Sequence, residues 1–208
     1  MSKVNLQDAF QTPFQMIGKV PLVLVPSLIA SLIGLALSIG VRNAYLTGMS
    51  WQVFVVAIIS NIIVLFSMGW ITLLLEKAMQ EEKTSLQDSW MKLSERLPNL
   101  GVAALVVSIL VALGTFLYII PGILLASMLL PAIPHAAKEN VSFDKSISFS
   151  LRFVFSQGNF GAVFLMVLIE FLLGLLPVIG LFLANLFISI WLPYAVVKYG
   201  ATDVETSE

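Results

Sequence analysis

Glu170 is the one acidic or basic side chain set well inside a long apolar run of this sequence. It stands about ten residues, or about 15 Å of helix, past the start of the run 159–176. That depth is close to the middle of any bilayer the run crosses. An ionised, unpaired carboxylate there costs at least about 2.5 kcal/mol, so the group must be neutral, paired or facing water. Two kinds of chemistry are open to it. One is a proton- or ligand-coupled site, or an anchor for a lipid headgroup drawn inward. The other is a protonated carboxyl hydrogen-bonded to a neighbouring helix as packing glue. Depth selects its partners: Asn61 lies about ten residues into the run 51–75, and Ser108 about eight into the run 100–120. Glu170 is therefore expected to pair with Asn61 or Ser108. Asn185, only about five residues past Gly180, is expected nearer the membrane surface.

Other chemistry is thin. The chain has no Cys and one His, which removes disulfides, thiolate metal sites and cysteine nucleophiles, and leaves little for His-based ones. No Gly-rich phosphate loop, HExxH, GxSxG or paired-carboxylate motif occurs. The expectation is a protein that is not an enzyme and carries no metal or cofactor. His135, after Pro134, could titrate near neutral pH, but a lone histidine at a span end reads first as a polar terminus. The clusters Lys83/Lys92/Arg96 and Lys145/Arg152 could attract anionic headgroups at about 1 kcal/mol per charge. Lys92, Arg96, Lys145 and Arg152 are the candidate headgroup contacts, although Glu81, Glu82, Asp88 and Glu95 offset much of that charge and the bases also serve as topology signals. Gly158, Gly161, Gly174 and Gly180 suit either close helix approach or turns.

The elements that would position these groups follow from composition. Of 208 residues, 59% are hydrophobic and 11% charged, and the mean hydropathy is +0.98. A soluble domain has about 25% charged residues, so a soluble enzyme, a disordered chain and a nucleic-acid binder with a basic face are all excluded. Apolar runs fall at 20–41, 51–75, 100–120, 122–137, 159–176 and 181–199, with tight turns expected at Pro121-Gly122 and Pro177-Val-Ile-Gly180. Six spans in three hairpins result. The fourth is short, its 16 residues covering about 24 Å of a core about 30 Å thick. With the N-terminus inside, every Lys and Arg except Arg42 falls on the cytoplasmic face, which places both termini in the cytoplasm of a cell (inner or plasma) membrane. The first run is too long for a cleavable signal and reads as a retained helix.

Three segments precede the odd-numbered spans: Leu6-Gln-Asp-Ala-Phe10, Leu86-Gln-Asp-Ser-Trp90 and Phe143-Asp-Lys-Ser-Ile147. Their apolar residues recur on one helical stripe, as in Leu6, Phe10, Phe14 and Ile17. Asn5, Ser85 and Ser142 sit as N-caps, with Asp8 and Asp88 in capping-box position. The expected fold is thus all-α and integral to the membrane: one domain over 1–208, in units 1–78, 79–140 and 141–200, with a disordered cytoplasmic tail at 201–208. Each unit is an amphipathic interfacial helix followed by a hairpin, repeated in parallel, unlike inverted-repeat transporters.

The segment Tyr118-Ile-Ile-Pro-Gly-Ile-Leu-Leu-Ala-Ser-Met-Leu-Leu-Pro131, followed by Ser142-Phe-Asp-Lys-Ser-Ile-Ser-Phe-Ser150 and Gln157-Gly-Asn159, resembles the YciC-like bacterial inner-membrane proteins. It is similar too to the membrane domain attached to some glycerophosphodiester phosphodiesterases. Ser146 stands where many relatives have Ala. The resemblance implies a six-helix membrane fold and an association with lipid metabolism, and it implies no catalytic residues. Together these readings favour a lipid-interacting or membrane-organising role, with membrane lipids as partners and a homo-oligomer or membrane-protein partner possible. The alternatives are a small transporter or channel with Glu170 in its pathway, or an accessory subunit that holds a membrane complex together.

Overall fold

The structure is a computed structural model that describes residues 1–46, 50–176 and 179–200, with only the backbone given for 38–46, 50, 52, 53 and 116. Pro177 and the tail 201–208 lie outside the described residues, as does the side chain of Arg42. Nine α-helices make up the described chain: α1 Leu6–Lys19, α2 Leu24–Leu46, α3 Ser50–Met79, α4 Leu86–Leu117, α5 Ile119–Leu129, α6 Ala132–Glu139, α7 Phe143–Phe155, α8 Phe160–Gly174 and α9 Gly180–Tyr199. Helices Phe54–Met79, Leu86–Thr115, Ile119–Glu139 and Gly180–Tyr199 are long and apolar enough to cross a membrane. The number rises to six if each of two bent helix pairs is one span.

Local chemistry explains the starts and bends. Helices begin at Leu6, Leu86 and Phe143, with Asn5 and Ser85 side chains accepting from the backbone N–H groups of Asp8 (3.2 Å) and Asp88 (3.3 Å). Ser142 makes no such bond to its helix. The α1 and α2 directions differ by 109°, because Pro21 forces Val20 out of the helical region, to φ −133° and ψ 76°. The α7–α8 bend of 111° is made by Gln157 (φ 51°) and Gly158 (φ 76°), both left-handed.

The segment 79–140 departs from the expected pattern. No separate amphipathic helix precedes the third span: α4 runs unbroken for 32 residues through Pro98. Proline there removes one ladder bond, but no residue beside it is left-handed or extended, so the helix continues. The expected turn at Pro121-Gly122 is also displaced. The chain breaks at Tyr118 (φ −157°, ψ 141°), and Pro121 and Gly122 lie in the first turn of α5, where proline's missing N–H has no partner to lose. The fourth apolar helix then runs Ile119–Glu139, 21 residues, and at about 1.5 Å per residue is long enough for a hydrocarbon core.

Helix α9 occupies the centre, against α1, α2, α3, α6 and α8. It is apolar around its whole circumference, and Ile188, Ile190, Leu192 and Tyr194 are all buried. Among the four long apolar helices the most apolar is the least covered: Phe54–Met79 is 28% buried, against 72% for Gly180–Tyr199. Leu28, Ile29, Leu32, Val55, Ile59, Val102, Leu105 and Leu113 form the exposed apolar surface on α2, α3 and α4. Water would reject such a surface, and lipid accepts it.

Candidate functional site

The α8 backbone carries Glu170 one helical turn before Gly174, which faces Ala184 of α9 (3.9 Å to an ideal Cβ). From α3 comes Asn61 and from α4 Ser108, and all three line one inner cavity of about 70 Å³. A larger lobe of about 330 Å³ shares Asn61, Val111, Ala126 and Glu170 with it and adds Asn185. Its far wall comprises Thr115, Gly122, Leu175 and Leu181, at the adjoining ends of α4, α5, α8 and α9. Small side chains make this room: Gly122, Ala126, Gly174 and Ala184 all line it.

The arrangement differs from the expected pairing. No hydrogen bond or ion pair joins Glu170 to Asn61, to Ser108 or to any other partner among the described residues. Ser108 Oγ is buried without a partner, and Asn61 and Asn185 likewise have none. The three expected residues share a space without touching through hydrogen bonds. Asn185, expected nearer the surface, joins them because the α8–α9 hairpin register sets it beside the Gly174/Ala184 contact. That register was legible only in part, since counting from Gly180 gives depth and not facing.

Among the described residues Glu170 is the only ionisable one lining either lobe. Toward the other end of the bundle the inner lobe is sealed by Met68, Val107, Leu130 and Ile188, of which Met68 and Val107 have no exposure. The site is a blind, mostly apolar chamber with five polar side chains on its walls among the described residues, Asn61, Ser108, Thr115, Glu170 and Asn185, of which Thr115 donates to the Val111 carbonyl (2.9 Å). No cluster of three or more His, Cys, Asp or Glu exists among the described residues to hold a metal.

The four basic residues separate into two pairs. Lys92 lies 3.6 Å from Glu76. Arg96 Nη1 donates to the Ala137 and Lys138 carbonyls, so it caps the C-terminal end of α6, where a positive charge is favoured. The unbroken α4 carries Arg96 to that position. Lys145 and Arg152 are exposed on α7, with Arg152 Nε donating to the Ser148 carbonyl at 3.3 Å. His135 stacks on Phe149 with ring centroids 3.8 Å apart, joining α6 to α7.

A polar network that the pattern did not single out closes the molecule. Asp8 accepts from Thr12 Oγ1 (2.8 Å), Tyr194 OH (3.1 Å), Lys198 Nζ (2.7 Å) and Tyr199 OH. Burial alone would raise the Asp8 carboxyl, but hydrogen bonds from Lys198, Tyr199, Thr12 and Tyr194 outweigh it and hold the group well below the usual carboxylate range. Nearby, Asn159 accepts from Val4 N–H (2.8 Å) and donates to the Ser2 (3.2 Å) and Phe153 (3.1 Å) carbonyls, while Ser2 N–H donates to the Tyr199 carbonyl (3.1 Å). The N-terminal segment is thereby stitched to the end of α9 and to the turn before α8. The available signal was the Tyr194–Lys198–Tyr199 spacing, which puts two phenols and an ammonium at one helix end.

Comparisons with protein-family models, with curated proteins and with solved structures returned no match for this chain.

Proposed function

We propose that this chain is a non-enzymatic membrane protein of six spans that receives a small ligand in the Glu170 chamber, as a carrier or a ligand-gated component. The observation that carries the reading is a roomy cavity with a lone carboxylate and three unpaired polar side chains, Asn61, Ser108 and Asn185. Proteins pack such groups against one another when their role is only structural. In this arrangement α2, α3, α4, α5–α6, α8 and α9 cross the bilayer, and α1 and α7 lie along the cytoplasmic surface. Both termini are cytoplasmic, in keeping with the distribution of Lys and Arg. The chamber then opens toward the outer leaflet, because its rim lies at the opposite end of α9 from Lys198.

The test exploits the absence of cysteine. Asn185→Cys in sealed, oriented vesicles is expected to react with a membrane-impermeant maleimide added outside. Solute or proton flux in liposomes is expected to fall in Glu170→Gln. An unreactive Asn185→Cys together with a reactive control at the exposed Trp51 would sink the reading.

A second reading, a lipid-interacting or membrane-organising role, draws support from α1 and α7. Both leave their neighbours at about a right angle (109° and 111°) and expose apolar residues, Leu6 and Phe14 on one and Leu151 and Phe155 on the other. Helices of this type sink an apolar stripe into the headgroup boundary. The resemblance to YciC-like membrane proteins points the same way. Replacing Lys145 and Arg152 by Glu is expected to lower co-purified anionic lipid, and unchanged lipid content would count against this role.

A further inference from the structure

The Glu170 chamber has a charge, a hydrogen-bonding inventory and a shape, and together they restrict what can enter it. Charge comes first. Among the described residues no Lys, Arg or His lines either lobe, so an ionised Glu170 has no counter-charge there, and an unpaired carboxylate in a low-dielectric region is strongly disfavoured. An anionic ligand would add a second negative charge. A cationic one supplies what the protein lacks.

The hydrogen-bonding inventory narrows the cation. Ser108 is 1% exposed and Asn185 6% exposed, and neither side chain has a protein partner. With Asn61 and Glu170 they place a hydroxyl, two carboxamides and a carboxylate on the chamber walls. An –NH₃⁺ group has three donors and no acceptor, and charge-assisted bonds to such oxygens are the strong kind. Shape supplies the rest. The inner lobe, about 70 Å³, suits a small head. The outer lobe, about 330 Å³, has walls of Val111, Ile123, Val167, Phe171 and Leu181, and ligand sites of this size are mostly apolar with a few placed polar groups. A bare metal ion would leave that apolar lobe without a purpose.

We propose that the chamber binds an organic cation, a primary ammonium on a short apolar body, with the ammonium held by Glu170 and Asn61, which line both lobes, and by Ser108 of the inner one, and the apolar body in the outer lobe beside Asn185. This rests on the ligand-binding reading above and names its ligand class.

The test is calorimetric titration of the full chain in lipid nanodiscs with butylammonium chloride, empty discs being subtracted. Butanol supplies the same apolar body without charge, and sodium chloride a cation without the body. Butylammonium is expected to bind saturably. Glu170→Gln should weaken it about 10- to 100-fold, the range for loss of a charged hydrogen bond, while Glu170→Asp, which keeps the charge, should retain most of it. Asn185→Ala should weaken it more mildly, in a chain whose Glu170 is intact. Equal binding of butylammonium to wild type and Glu170→Gln, or no advantage over butanol, would overturn the assignment. Saturable, Glu170-dependent sodium binding that butylammonium does not displace would overturn it in favour of a metal-ion site. In either case a maleimide-reactive Asn185→Cys would leave the ligand-chamber reading standing, whereas an unreactive one would remove both.

Discussion

Gly122→Ala separates close helix packing from mere helix continuity, because the two effects have opposite signs. A Cβ on Gly122 would lie 2.4 Å from Thr115 Oγ1, 2.7 Å from Thr115 Cα and 2.8 Å from Thr115 N. Two of those three atoms are α4 backbone, so no side-chain rotation relieves the clash. Restoring an ordinary carbon–carbon approach of about 3.5 Å to that Cα requires α5 to retreat by about 0.8 Å. Overpacking of this kind costs about 1–3 kcal/mol, and alanine's better helix propensity returns at most about 1 kcal/mol. The net expectation is a loss of about 1–2 kcal/mol, worth about 2–4 °C per kcal/mol in a chain of this length. Gly161→Ala is the matched control: it has nothing within 4 Å of its ideal Cβ and should be neutral or gain up to about 1 kcal/mol. Adding Thr115→Ala to Gly122→Ala should not rescue, since it removes only Oγ1. Thermal unfolding in one detergent, followed by circular dichroism, reads all four proteins. A Gly122→Ala midpoint at or above that of Gly161→Ala would refute the argument, as would full rescue by Thr115→Ala. The same displacement would widen the chamber, because Gly122, Ile123 and Ala126 form its α5 wall.

Two further outcomes follow from the network that closes the molecule. Asp8→Asn removes the anion shared by Lys198, Tyr194 and Tyr199 and should cost about 1–2 kcal/mol at neutral pH, discounted for the partial exposure of Lys198. The Asp8 carboxyl titrates lower in the folded chain than in the unfolded one, so its stabilisation is complete above an unfolded value of about 4 and is lost as pH falls below it. The midpoint gap between wild type and Asp8→Asn should therefore be full at pH 7 and narrow on acidification; a gap that widens toward acid would contradict the assignment. Asn159→Ala strands the Val4 N–H and the Ser2 and Phe153 carbonyls. It should cost about 1–3 kcal/mol and speed proteolysis of the first five residues, whereas unchanged protease sensitivity would show that the N-terminal segment is held by other contacts.

What could be read along the chain was what depends on near neighbours. The helix starts at Leu6, Leu86 and Phe143 were legible because a cap and an apolar stripe are local patterns. Membrane class was legible because hydropathy is a sum over residues. Failures arose where a local signal competed with a partner. Pro121 and Gly122 read as a turn, yet the helix tolerates that proline in its first turn, and the glycine answers to Thr115 on the facing helix. The segment from Leu86 read as an interfacial helix separate from the third span, yet α4 continues through Pro98 because nothing beside that proline takes a non-helical conformation. Lys92 and Arg96 read as headgroup contacts partly offset by Glu81, Glu82, Asp88 and Glu95, because their partners in the fold, Glu76 and the end of α6, come from other helices.

The sequence by itself determined that this chain is apolar and helical, and that Glu170 is the one acidic or basic side chain well inside an apolar run, with Asn61 and Ser108 at similar depth along theirs. Hydropathy, periodicity and counting along a 1.5 Å rise contain that much. Only the tertiary structure decided that these groups face one chamber instead of one another, that Asn185 joins them, and that Asp8 and Asn159 tie the N-terminal segment to the end of α9 and the start of α8. The physical reason is rotational. Axial depth is additive along a helix, but which way a side chain faces depends on how neighbouring helices pack, and that is settled by close contacts such as Gly122 against Thr115 and Gly174 against Ala184.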